Sequence, residues 1–91
     1  MAEPMALDAR PRVAGHFRLQ WEEVQKAWVL LYPEGMVKLN GSAGEIMKRL
    51  DGEKSVQAVV AELERDFNAT GLAGDVQDFL AMAQGQGWVK A

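Results

Sequence analysis

The sequence has no cysteine among its 91 residues. Disulfides, thiolate catalysis and cysteine-ligated zinc are therefore excluded, and nothing indicates an oxidising compartment. Histidine occurs once, at His16, with no other metal ligands at suitable spacing beside it, so we expect no metal site. No apolar run approaches the roughly 20 residues of a membrane helix, and the start MAEPMALDARPR lacks the pattern of a signal peptide. We expect a cytoplasmic protein with no membrane association.

Acidic residues outnumber basic ones, 13 to 10. The net charge is -3 and the isoelectric point is near 5.0, which opposes nonspecific attraction to phosphate backbones or anionic lipid. With 48% hydrophobic and 25% charged residues, the composition is that of a globular domain. A single domain of this length has little room for a deep cavity, so a surface groove suits it better than an enclosed active site.

The chain divides into an arm and a domain. Residues 1–12 contain prolines, charges and small residues without an apolar period, and we expect a flexible N-terminal arm there. Residues 13–91 form the domain, which begins with strand-like patterns. HFRLQW alternates apolar and polar residues, AWVLLY is apolar throughout, and YPEG between AWVLLY and MVKL fits a β-turn. These patterns predict three strands, with AWVLLY in the centre.

Everything after MVKL has helical spacing. Asn40 or Ser42 can cap the first helix, and Ser42 with Glu45 has the spacing of a capping box. We expect Asp51-Gly52 to end this helix, Ser55 to cap a second, and a third to begin near Asp75 and stop at Gly85 or Gly87. The tail Trp88-Val89 is expected to pack back on the core.

The predicted fold class is α+β: a winged-helix-like domain with a three-stranded antiparallel sheet followed by three helices. A central AWVLLY leaves the first and third strands as edges, whose unpaired backbone groups are a template for another chain. An extended peptide could pair with MVKL and place its side chains in a groove beside the third helix. The alternative is that the apolar stripe of this helix simply fills the core and that Lys38 protects the edge.

Catalytic and nucleic-acid-binding motifs are scarce. Acidic clusters fall in a loop and on the polar face of a helix, LNGSAGEI lacks the lysine of a phosphate loop, and no nucleophile motif occurs, so we expect no enzyme activity and no cofactor. The predicted third helix, DVQDFLAMAQGQG, carries Asp75 and Asp78 without Lys or Arg, which disfavours DNA. A winged-helix DNA-binding domain and a self-dimerising domain remain the alternatives.

Four segments carry a resemblance to a known family: RPRVAGHFRLQW, WVLLYPEGMVKLNGSAGEIMKRLDG, SVQAVVAELERDF and DVQDFLAMAQGQGWV. In this order and spacing, the chain resembles the family of pyrroloquinoline quinone biosynthesis protein D (PqqD) from about Arg10 to Val89. The resemblance implies a peptide chaperone, a RiPP recognition element that binds the precursor peptide PqqA. It further implies that the domain presents this peptide to the radical-SAM enzyme PqqE, which crosslinks a glutamate to a tyrosine.

The resemblance also suggests where the peptide binds, because related domains take leader peptides as an added strand beside the third strand. Equivalent elements here supply the expected peptide-binding residues Met36, Val37, Lys38 and Leu39 on the strand, and Val76, Phe79, Leu80 and Ala83 on the helix. Catalytic and metal residues are not expected. We expect a monomer, with a strand- or arm-swapped homodimer as the alternative.

Overall fold

The computed structural model describes residues 3–91, with strands and helices in the order that the sequence predicts. Two short strands missed by the sequence patterns flank them. The elements are β1 Arg12–Val13, β2 Arg18–Glu22, β3 Ala27–Tyr32, β4 Gly35–Lys38, α1 Gly41–Met47, α2 Val56–Asp66, α3 Ala73–Gly85 and β5 Val89–Lys90. Within residues 3–91, no helix has the length and apolarity that crossing a bilayer requires.

The main sheet is antiparallel with the strand order β2-β3-β4, so the predicted sheet and the α+β fold class are confirmed. β3 is central, and its neighbours Val29 and Leu30 are both fully buried. Since adjacent strand residues point to opposite faces, β3 is covered on both sides. Leu30 enters the hydrophobic core beneath the helices, whereas Val29 lies opposite Gln20 and Lys38 on the outer face. β2 and β4 are the edges.

Side-chain caps begin the first two helices. The Asn40 Oδ1 accepts a hydrogen bond from the Ala43 N–H at 2.7 Å, and the Ser55 Oγ accepts one from the Ala58 N–H at 3.1 Å. Each satisfies a backbone donor that the helix leaves unpaired. Asn40 rather than Ser42 is therefore the cap of α1. This helix ends at Met47, short of the predicted end, and α3 begins at Ala73, before the predicted start near Asp75.

Close packing joins α1 to the central strand through a glycine. A Cβ added at Gly44 would lie 2.7 Å from the Trp28 Cδ1, closer than carbon atoms approach in proteins. Gly44 therefore lets the helix rest directly on the indole. The core continues from there through fully buried side chains of all three helices, among them Met47, Val59 and Leu80.

β1 and β5 form a separate antiparallel pair, with Val13 opposite Val89. Val89 is 2% exposed and belongs to the core cluster, so the expected packing of the tail is confirmed. The segment before β1 lies against the helices: the carbonyls of Leu7 and Ala9 accept hydrogen bonds from the first N–H groups of α2, at 2.9 and 2.8 Å. Met5 is buried in the core. The expected flexibility of residues 1–12 stays a prediction, and Met1 and Ala2 lie outside the described residues.

Candidate functional site

The outer edge of β4 presents unpaired backbone groups. The Leu39 N–H donates to the Trp28 carbonyl at 2.9 Å, so Leu39 faces β3. Because hydrogen-bonded and non-hydrogen-bonded pairs alternate in an antiparallel ladder, Val37 also faces β3, whereas Met36 and Lys38 turn their N–H and C=O groups outward. Within residues 3–91, neither backbone makes a hydrogen bond with another element. An extended peptide therefore has two residues of β4 with which to pair.

The side chains of β4 alternate between the two faces of the sheet. Met36 is 47% exposed and Lys38 is exposed, and both lie on the outer face. Val37 is half-buried and packs against the core, and Leu39 is almost completely buried. Side chains on only one face of β4 therefore pack against the core. A peptide added here would meet Met36 and the lysine stem on that outer face.

A groove of about 610 Å³ lies where the three helices meet, and none of its lining residues belongs to β4. Its walls come from the first turn of α1, the end of α2 and the start of α3. Gly41 and Ser42 form the wall nearest β4, and apolar side chains line the interior, among them Ile46, Leu63, Leu72 and Val76. Phe67, the C-cap of α2, lies on the rim and is 54% exposed. An apolar side chain of a bound peptide could be buried here.

The predicted site residues fall into two groups. The four expected residues Met36 to Leu39 lie together at the sheet edge, in β4 and directly after it. Of the four on α3, Val76 lines the groove at 2% exposure, Phe79 is half-buried, and Leu80 and Ala83 are fully enclosed in the core. Leu80 and Ala83 therefore offer little surface to a ligand. Contact between any of these residues and a peptide stays a prediction.

Sequence reasoning missed much of the groove lining. Phe67 continues the apolar spacing of Val59, Val60 and Leu63, and this spacing does not distinguish a buried ring from an exposed one. In the structure, α2 ends at Asp66 and Asn68 has a φ of 50°, so the chain turns away and leaves the ring half in solvent. The sequence predicts the end of this helix at Asn68 and Gly71, since both residues adopt the left-handed conformation that ends helices, but it does not predict that Phe67 is exposed. Leu72 before α3 carried no comparable signal.

Arg49 holds α1 and α2 together behind the groove. Its guanidinium is 2.8 Å from the Glu45 Oε1, 3.5 Å from the Glu62 Oε1 and 2.7 Å from the Asp66 Oδ2. The Arg49 side chain is only 10% exposed, so these pairs are less screened than surface ion pairs. The hydrogen bond from Arg49 lowers the pKa of Glu45 and contributes most to the lowered pKa of Asp66. The network fixes the wall that carries Glu45.

The start of α3 is acidic. Asp75 lies at the groove and Asp78 is exposed one turn later, and no Lys or Arg occurs between Ala73 and Gly85. The Glu64 Oε2 accepts a hydrogen bond from the Leu72 N–H at 3.0 Å, which holds the first turn in place. A helix with these charges repels phosphate, so the structure gives no support to DNA binding through α3.

Domains that bind an extended peptide by strand addition use an open strand edge, and here the apolar groove begins at Gly41, three residues along the chain from the end of β4. Comparison with known proteins identifies the family. The family model described as coenzyme PQQ synthesis protein D (PqqD) matches residues 27–89. The chain belongs to the PqqD family.

Individual relatives are similar over most of their length. A PqqA binding protein of Pseudomonas aeruginosa is 48% identical over 86 residues, covering 93% of this chain and 94% of the relative. The PqqA binding protein of Azotobacter vinelandii is 46% identical over 81 residues, covering 88% of each chain. The resemblance to the PqqD family that the sequence shows is confirmed.

Two solved structures share the fold. One is the solution NMR structure of the PqqD truncation of Methylobacterium extorquens PqqCD, described as a functional and stand-alone RiPP recognition element. It is 25% identical with a TM-score of 0.81, covering 96% of this chain and 95% of that one. The other, the crystal structure of PqqD from Xanthomonas campestris, is 26% identical with a TM-score of 0.59, covering 96% and 99%.

Proposed function

We propose that this chain is a peptide chaperone of pyrroloquinoline quinone biosynthesis, which binds the precursor peptide PqqA as an added strand beside β4 and presents it to the radical-SAM enzyme PqqE. Membership in the PqqD family and relatives named PqqA binding proteins support PqqA as the ligand. The observation that carries the binding mode is the outward orientation of the Met36 and Lys38 amides at an open edge.

The edge and the groove have separate tasks in this proposal. Backbone pairing with two residues of β4 gives about four hydrogen bonds, each worth about 1 kcal/mol net. A micromolar complex requires about 8 kcal/mol, so the edge alone is insufficient. Apolar side chains of the peptide in the groove, against Phe67 and Leu72, supply the remainder and also offset the ordering of a flexible peptide. The strand sets the register and the groove sets most of the affinity.

The chain itself contributes binding rather than catalysis. The groove lining combines apolar side chains with few polar groups, and its Glu45 is occupied in the ion pairs through Arg49 that hold α1 to α2. Crosslinking of the peptide belongs to PqqE in this scheme, and the chaperone holds the peptide in an extended form. Because ribosomes make the precursor peptide, we expect the chaperone to bind it in the cytoplasm.

A titration of isotope-labelled protein with synthetic PqqA tests the binding mode. Amide shifts are expected along Met36 to Leu39 and around Phe67 and Leu72. The Phe67→Ala variant should bind PqqA more weakly than the wild type with little loss of stability, because its ring is half in solvent already. Val24→Ala is the matched control, since Val24 is 92% exposed in the β2–β3 turn away from the groove.

The outcomes separate the parts of the proposal. Absence of shifts at millimolar peptide would contradict binding of PqqA by the isolated chain. Shifts that avoid β4 would contradict strand addition while leaving PqqA as the ligand. Presentation is tested by the rate at which PqqE crosslinks PqqA with and without the chain, and an unchanged rate would count against it.

A further inference from the structure

The second open edge of the sheet belongs to β2, and its backbone orientation follows from the same ladder. Trp28 faces β4, so its neighbours in β3, Ala27 and Val29, face β2. Gln20, opposite Val29, therefore turns its backbone inward, and Leu19 and Trp21 turn theirs outward. Within residues 3–91, the backbones of Leu19 and Trp21 make no hydrogen bond beyond the β2–β3 pair.

The sequence of this edge, RLQWE, is complementary to itself in the antiparallel direction. A twofold axis at Gln20 puts Leu19 of each copy opposite Trp21 of the other. Both residues have outward amides, so each such pair exchanges two backbone hydrogen bonds, and Gln20 meets its own copy at a non-hydrogen-bonded position. The required alternation is satisfied at every position of the strand.

The charges match in the same register. Arg18 of each copy lies opposite Glu22 of the other, on the outer face of the sheet. Among residues 3–91, neither Arg18 nor Glu22 takes part in an ion pair. They are four residues apart on one extended strand, about 13 Å, and cannot pair within a copy. On the other face, Trp21 is 43% exposed and would cover Leu19 of the second copy.

We infer that the β2 edge is a self-association surface whose partner is a second copy of this chain, paired antiparallel about Gln20. The result is a continuous six-stranded sheet with a β4 edge free at each end, so dimer formation and peptide binding use opposite edges. Five residues per copy form a smaller contact than the standard interface between proteins. The dimer therefore forms at high protein concentration and dissociates on dilution.

Charge reversal on the full chain tests this register. Arg18→Glu alone and Glu22→Arg alone each place like charges opposite one another twice, and each should weaken the dimer about tenfold. An equimolar mixture of the two variants restores both attractive pairs and should recover the wild-type dimer in sedimentation equilibrium. Arg10→Glu is the control, since it makes the same charge change on an exposed residue outside β2. It should leave the association unchanged.

Hydrogen exchange supplies an independent readout. The amides of Leu19 and Trp21 should exchange more slowly as the protein concentration rises, while those of Arg18, Gln20 and Glu22 keep the protection that β3 already gives them. The inference is overturned by a protein that stays monomeric at millimolar concentration. It is equally overturned by single reversals that associate like the wild type, or by a folded mixture of the two variants that remains monomeric.

Discussion

Proline at position 38 separates strand addition from every binding mode that uses side chains alone. The Lys38 N–H points away from β3 and bonds to nothing within residues 3–91, so Lys38→Pro removes a donor that the fold does not use. Proline is tolerated on edge strands for this reason. Val37 has the opposite orientation and pairs with Leu30, so Val37→Pro breaks the β3–β4 ladder.

The magnitude follows from the pairing. A strand added beside β4 uses the N–H and C=O groups of Met36 and Lys38, about four hydrogen bonds of about 1 kcal/mol each. Lys38→Pro deletes one donor, and its ring crowds the neighbouring position of the incoming strand. Losing one or two bonds corresponds to PqqA binding that is about 5- to 30-fold weaker. Val37→Pro should instead lower the free energy of unfolding by about 1–3 kcal/mol.

Isothermal titration with PqqA measures the first effect, and thermal melting by circular dichroism measures the second. Lys38→Ala is the control, because it removes the same side chain and keeps the N–H. We expect Lys38→Pro to melt close to Lys38→Ala and to bind PqqA more weakly than it. If the two variants are equally stable and bind equally well, the peptide does not pair with β4.

Three further predictions concern stability. Gly44→Ala should destabilise the fold by about 1–3 kcal/mol in denaturant unfolding, because the new methyl meets Trp28; unchanged stability would mean that α1 does not rest on the indole. Gly74→Ala, in α3 with open space around the new methyl, should stabilise by about 0.5–1 kcal/mol, and a loss of stability would contradict the helical backbone there. In the Arg49→Gln variant, the free energy of unfolding should decrease less than in the wild type as the pH falls into the acid range. The folded pKa of Glu45 lies below its ordinary 4.5, so the pair stabilises the native state above that pH and the contribution is lost as pH falls through the lowered pKa. Unfolding curves between about pH 3 and 7 check this, and equal acid sensitivity of variant and wild type would refute it.

Local patterns were sufficient for most of the fold. The alternation in HFRLQW, the turn at YPEG and the cap at Ser55 each depend on residues adjacent in sequence, and each has its counterpart in the structure. The pairing of β1 with β5 joins two-residue segments from opposite ends of the domain, which no local period can reveal. The groove also depends on contacts between segments that are distant in sequence, because Phe67 and Leu72 lie near the start of α1 only when the ends of three helices converge.

At the β4 edge, the sequence pattern predicts the orientation of the side chains but not that of the backbone amides. Side-chain alternation in MVKL is enough to place Met36 and Lys38 on one face, where the structure has them. It does not say which amides point away from the sheet, because the backbone groups alternate in the plane of the sheet, perpendicular to the side chains. That choice depends on the hairpin loop. Tyr32 and Gly35 face each other across a two-residue loop, so they form the hydrogen-bonded closing pair, and the alternation from there leads to outward amides at Met36 and Lys38. The length of the loop at Pro33-Glu34, rather than the composition of the strand, therefore determines which backbone groups this domain offers to a peptide.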